Sequence, residues 1–190
     1  MKKFLKSLLV LTVVGTAVAF TTPIEEKTVN TEESTVTWKG YKVTGSHEGT
    51  VDLVSGKLEF DGETLTGGNF VVDMSSIIST DLSGEYKQKL EGHLKSDDFF
   101  GVEKYPTATL EITDVKSSGK NAYEVTGNLT VKDKTNPVTF TMSIYGNKAT
   151  ANLKIDRAEY DVRYGSGSFF DNLGDKTIYD EFDLVVDLQF

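Results

Sequence analysis

Cysteine is absent from the 190 residues. That excludes a disulfide framework, a thiolate zinc site, an iron–sulfur cluster and a cysteine nucleophile. Cations are in short supply: 20 Lys plus Arg stand against 29 Asp plus Glu, a net charge of −9. A nucleic-acid binder needs clustered Lys and Arg to neutralise phosphates, so no nucleic-acid partner is expected. Histidine occurs twice, as His47 and His93, with no H-E-x-x-H and no pair at ligand spacing, so no metal is expected. The G-x-S-x-G elbow is missing. Acid clusters at Asp97-Asp98, 171–175 and 180–183 lack the D-x-[DN]-x-[DN]-G calcium loop and read as solvated charge. No catalytic set emerges, and the chain is expected to be neither an enzyme nor dependent on a cofactor.

The first residues stand apart. Lys2, Lys3 and Lys6 form a basic start, 7–20 carry no charge, and Ala17-Val18-Ala19 supplies small residues at an exit. This predicts a secretory signal peptide over 1–19 and one domain over 20–190. Cleavage after Ala19 removes three Lys and no acid, so −9 becomes −12. That acidity opposes an electrostatic hold on anionic lipid. No later apolar stretch has the length of a membrane-spanning helix.

The remainder alternates with period two, the mark of half-buried strands. Val138, Phe140, Met142 and Ile144 precede Gly146-Asn147, and Ala149, Ala151, Leu153 and Ile155 follow. A two-residue II′ turn there pairs Ile144 with Ala149, Met142 with Ala151, Phe140 with Leu153 and Val138 with Ile155, all on one face. Further strands are predicted over 36–43, 50–54, 57–60, 69–74, 107–115, 123–132 and 182–190. Turns are predicted at Asp61-Gly62, Gly67-Gly68, Ser118-Gly119 and Asn136-Pro137. Tyr86, Leu90 and Leu94 recur every fourth residue, predicting a helix over 81–94 capped by Asp81 or Ser83. Ser96 to Gly101 then reads as a short helical turn carrying Phe99 and Phe100. An all-β chain of about eight antiparallel strands with one short helical insertion folds as a sandwich or a closed barrel. The small-against-large pairs Ile144–Ala149 and Met142–Ala151 favour the barrel, where such pairs fit the taper or leave room inside.

Several separated motifs resemble the YceI-like family of bacterial polyisoprenoid-binding proteins. They are Val43 to Gly49, Gly92 to Phe100 with Tyr105-Pro106-Thr107-Ala108-Thr109, Gly127 to Lys132 with Thr135 and Val138, and Ile155-Asp156-Arg157 with Tyr160 and Tyr164. The resemblance covers about 28–190. Asp133 departs from it, since the family usually has Gly there, and this puts one turn in question. The resemblance implies a lipocalin-like barrel in the periplasm that holds an isoprenoid quinone, a polyprenyl phosphate or another long-chain lipid.

On that reading the strand residues expected to line the interior are Trp38, Phe60, Phe70, Val72, Met74, Leu110, Ile112, Phe140, Met142, Ile144, Phe182 and Leu184. Leu90, Phe99 and Phe100, on the helical insertion, are placed to close one mouth. His93 and Arg157 are the candidates for a lipid head group; a surface ion pair of Arg157 with Asp156, Glu159 or Asp161 is the plainer alternative. An enzyme acting on bound lipid would need a polar pair, such as His93 with Asp97 or Asp98. A stress-response or interaction module would have a packed interior and an exposed apolar patch. A homodimer is left open by the sequence.

Overall fold

The computed structural model describes residues 23–190, so the leader expected over 1–19 lies outside the described residues. Nine strands form among them: β1 (Glu25–Thr28), β2 (Thr35–Lys42), β3 (Gly45–Asp61), β4 (Thr64–Ser79), β5 (Thr107–Gly119), β6 (Ala122–Val131), β7 (Lys134–Tyr145), β8 (Lys148–Asp156) and β9 (Ile178–Gln189). A helix, α1 (Gly84–Lys95), separates β4 from β5. From β3 to β9 each strand pairs antiparallel with the next, and β2 pairs with both β3 and β9. The sheet therefore closes on itself as an eight-stranded up-and-down barrel, β2 to β9, with β1 added outside along β3. Closure satisfies the strand edges that an open sheet exposes, and it decides for the barrel over the sandwich.

The β7–β8 hairpin forms at the expected turn. Gly146 has φ +63° and Asn147 keeps a negative φ, the II′ pattern. Ile144 pairs with Ala149 and Met142 with Ala151, but the ladder ends at Thr141–Asn152. Phe140–Leu153 and Val138–Ile155 are thus not ladder partners, contrary to expectation. At that end a short 3-10 turn, Arg157–Tyr160, packs on β7, and Asn136 Nδ2 donates to the Glu159 carbonyl at 3.0 Å. Pro137 sits in this part of β7, where no β8 partner runs alongside. A strand tolerates a residue without an N–H there, so the turn expected at Asn136-Pro137 does not form.

The strands expected over 50–54 and 57–60 are one strand, β3. It bends through register shifts at Thr50/Asp52 and Leu53/Ser55 rather than breaking. Gly67-Gly68, expected as a turn, lies within β4, where a Cβ on Gly68 would sit 2.5 Å from the Lys57 carbonyl. The glycine serves close strand approach, not reversal. In α1, Ser83 holds the N-cap position without a side-chain cap bond. The Asp81 carboxylate is engaged elsewhere, by Ser79 Oγ at 2.7 Å and His47 Nδ1 at 2.9 Å. Of the expected helix face, Leu94 is buried, Leu90 half-buried and Tyr86 exposed, so α1 meets the barrel mainly by its C-terminal end.

The turn at Asp133 is intact. Lys132 and Asp133 join the paired Val131 and Lys134 with φ of +50° and +57°, a type I′ turn. A left-handed backbone costs a side-chain-bearing residue on the order of 1 kcal/mol, less for Asp than for most. Asp133→Gly is therefore expected to stabilise the fold by up to about 1 kcal/mol, raising the melting temperature by roughly 2–4 °C in scanning calorimetry. An unchanged or lower value would contradict this.

Inside the barrel the two ends differ. Leu58, Leu65, Val125, Ala149, Ala151 and Leu188 are almost wholly buried and belong to a solid core. Ala149 and Ala151 thus serve the first of the two expected uses, fitting side chains into a narrowing packed region, and line no cavity.

Candidate functional site

The room lies at the end where β2 and β4 finish and β5 and β9 begin. There a cavity of about 140 Å3 is walled almost entirely by carbon. Of the residues named from the sequence, Trp38, Val72, Met74, Phe182 and Leu184 line it from the strands, and Phe99 and Phe100 from the insertion. Phe60, Phe70, Ile112, Phe140 and Met142 also point inward, but they are buried outside the cavity lining. Leu90, Leu110 and Ile144 are partly buried against the core and do not reach the cavity either. Period two tells which face a residue is on, not its level along the barrel axis.

The lining also includes Val36, Gly40, Val51, Ile77, Leu94, Ala108, Leu129, Val131, Ile178 and Tyr179. Leu129 and Val131 continue the alternation begun by Val125, a signal that would have found them. Leu94 closes the expected helix face. Ala108, Gly40 and Ile178 carried no such mark. Trp38 depends on a glycine across the ladder. Its partner on β3 is Gly49, where a Cβ would stand 2.6 Å from Trp38 Cζ2 and 1.8 Å from the Ile78 carbonyl oxygen. The indole occupies space that only glycine leaves free, and its Nε1–H is buried without a partner.

Arg157 is the one charged residue lining the cavity, and it is only 3% exposed. Its Nη1 donates to the Val162 carbonyl at 2.7 Å, Nη2 to Ile178 at 3.0 Å and Nε to Tyr179 at 3.2 Å. Asp180 Oδ1 lies 3.3 Å from Nη2, within ion-pair reach though not aligned as a hydrogen bond, and it has no other partner. The guanidinium also stands 5.3 Å from the Phe99 ring centroid. Burial lowers its pKa, and the charges of Asp180 and Asp156 oppose that shift. The plainer expectation of a surface pair with Asp156, Glu159 or Asp161 is therefore overturned. A planar five-donor fork can join one carbonyl of the β8–β9 loop to two at the start of β9. Nearby, burial aided by Glu159 and Asp156 pushes the Tyr160 hydroxyl up to about 12.

His93 does not line the cavity. Its ring packs edge-on against Tyr164 at 4.3 Å and Phe99 at 5.6 Å, with Nε2 buried and unpartnered. No hydrogen bond joins it to Asp97 or Asp98, which lie exposed on an outer cleft. That cleft, about 750 Å3 and open to solvent, runs beside the cavity and shares Ile178 with it. Lys132 fastens the junction: Nζ donates to the carbonyls of Phe99 at 2.8 Å and Asp161 at 3.3 Å. Among the described residues no group of His, Asp and Glu could hold a metal ion, and no helix is long and apolar enough to cross a membrane.

A closed antiparallel barrel, capped by a helical insertion over an apolar cavity, defines a lipocalin-type barrel. Comparison with known proteins gives the family: the YceI-like domain matches residues 28–190, and the chain belongs to that family. Its curated relatives include a UPF0312 protein of Azotobacter vinelandii, 34% identical over 98 residues, covering 52% of this chain and 49% of the relative. A UPF0312 protein of Pseudomonas aeruginosa is 39% identical over 90 residues, covering 46% of this chain and 47% of the relative. The chain spans about half the length of the curated relatives it matches. Among solved structures, BcnA of Burkholderia cenocepacia superposes with a TM-score of 0.66 at 24% identity, covering 84% of this chain and 98% of its own. A polyisoprenoid binding domain from Saccharophagus degradans gives 0.60 at 14% identity, covering 85% and 97%. At these identities the likeness is one of fold.

Proposed function

We propose that this chain is an exported, non-catalytic lipid carrier of the periplasm that shelters the apolar part of an isoprenoid lipid at the capped end of its barrel. The observation that carries the reading is a carbon-walled cavity with one guanidinium at its edge. The polyisoprenoid binding domain from Saccharophagus degradans, which shares the fold, supports it. So does the basic, then apolar, N-terminal stretch, which supports export.

Volume sets how much of a tail is held. A cavity of about 150 Å3 accepts benzene, so about 140 Å3 holds one five-carbon isoprene unit. Burying those carbons is worth about 4 kcal/mol at 0.8 kcal/mol per carbon, more than a head-group hydrogen bond of about 1 kcal/mol. A longer tail must displace the cap formed by Leu94, Phe99 and Phe100, which belongs to no barrel strand. The head chemistry follows from charge. Arg157 is already balanced by Asp180 and donates to three carbonyls, so the cavity offers no net positive charge. That favours a neutral acceptor, such as a quinone carbonyl, over a phosphate.

The solid core at the other barrel end favours a second reading, an interaction module that carries no lipid. Organic extraction of natively purified protein followed by mass spectrometry separates the two. The carrier reading expects an isoprenoid lipid approaching one per chain. Background levels only would favour the module.

A further inference from the structure

The loop between β8 and β9, with Tyr179 at the start of β9, turns aromatic side chains outward. Phe169 is 39% exposed, Phe170 51%, Tyr164 49% and Tyr179 52%. The display is built in. Ser166, fully buried, accepts the amides of Phe169 at 3.2 Å and Phe170 at 3.0 Å on its carbonyl and that of Ser168 at 3.1 Å on its hydroxyl. Ser168 Oγ then donates to Asp180 at 2.7 Å, tying the turn to β9. These bonds hold the loop so that the rings face water, where large apolar side chains cost most.

Three of these aromatics stand beside the cavity or the outer cleft, and Phe169 is the chain neighbour of one of them, Phe170. Tyr179 lines the cavity and is half exposed, and Ile178 is a wall shared with the outer cleft, which Tyr164 and Phe170 border. The cleft carries both signs of charge: Lys42, Lys132, Arg163 and Lys176 against Asp97, Asp98, Asp161 and Asp175. Aromatic rings beside mixed charges match the boundary of a bilayer whose headgroups are themselves zwitterionic. The chain's excess of acid gives no net attraction to an anionic surface.

We propose that this aromatic rim docks on zwitterionic phospholipid bilayers, so that a lipid passes between membrane and cavity without crossing water. The proposal deepens the carrier reading and rests on it for its purpose. Its test is cosedimentation of the purified protein with phosphatidylcholine vesicles and with vesicles rich in phosphatidylglycerol. The wild type is expected to bind the first and to bind the second no better. Phe169→Ser/Phe170→Ser is expected to lower the partition coefficient at least tenfold, with an unchanged circular dichroism spectrum, because both rings lie at the surface. Tyr86→Ser, on the exposed face of α1, is expected to bind as the wild type does.

A wild type that stays in the supernatant, or a double variant that binds equally well, overturns the proposal. Preference for phosphatidylglycerol overturns it too. Self-association abolished by the double variant, without vesicle binding, would assign the rim to a second copy of the chain and also overturn it. Extraction on the same preparations keeps the two readings apart. Protein that carries lipid but ignores vesicles refutes docking alone, whereas protein that binds vesicles but yields no lipid refutes the carrier.

Discussion

Arg157→Ala is expected to destabilise the fold by roughly 3–5 kcal/mol, lowering the melting temperature by roughly 6–20 °C for a domain of this size. The guanidinium is buried and serves three carbonyls, those of Val162, Ile178 and Tyr179. Removing it leaves those acceptors without their side-chain donor and leaves the Asp180 carboxylate without its counter-charge, held by Ser168 alone. Arg157→Lys is expected to rescue little, because an ammonium on a flexible stem cannot reach three carbonyls and lie against Phe99 at once. Adding Asp180→Ala to Arg157→Ala should recover part of the loss by removing the uncompensated charge. Thermal denaturation of the four proteins in a double-mutant cycle measures this coupling. A loss below about 1 kcal/mol for Arg157→Ala would show that the loop closes the barrel end without it.

Ala108→Phe is expected to abolish lipid retention while leaving the barrel folded. Ala108 is buried on β5 and lines the cavity. The substitution adds a phenyl ring, and the cavity, at about 140 Å3, has the size that takes one benzene. The ring would occupy the place of the ligand's buried carbons. Filling a void offsets the strain of a larger side chain, so stability should stay within about 1–2 kcal/mol of the native protein. The lipid extracted per chain should fall more than tenfold. Ala151→Phe is the contrast: Ala151 is buried in the solid core, where the same addition is overpacking and costs about 1–3 kcal/mol or more. A near-native lipid load in Ala108→Phe would remove the cavity from the binding site.

Much of this molecule follows from local patterns that need no tertiary information. Strand residues alternate because the pleat sends successive side chains to opposite faces, and a run such as Phe140, Met142 and Ile144 reports that directly. The Gly146-Asn147 turn sets the register of its hairpin through backbone geometry alone, and the absence of cysteine removes whole classes of chemistry. What the sequence could not decide is non-local. Closure rests on β2 pairing with β9 across nearly the whole chain, and β3 bends through bulges where a broken strand was expected. The level of a side chain along the barrel axis depends on strand tilt and stagger, so Phe140 and Phe182 look alike in sequence, yet one is core and the other cavity wall. Arg157 shows the same limit: its neighbours in the chain suggest a surface pair, but the returning loop brings Val162, Ile178, Tyr179 and Asp180 around it. Periodicity determined which side of the sheet each residue faces; only the closed, tilted barrel decided which of the inward ones meet each other and which meet a void.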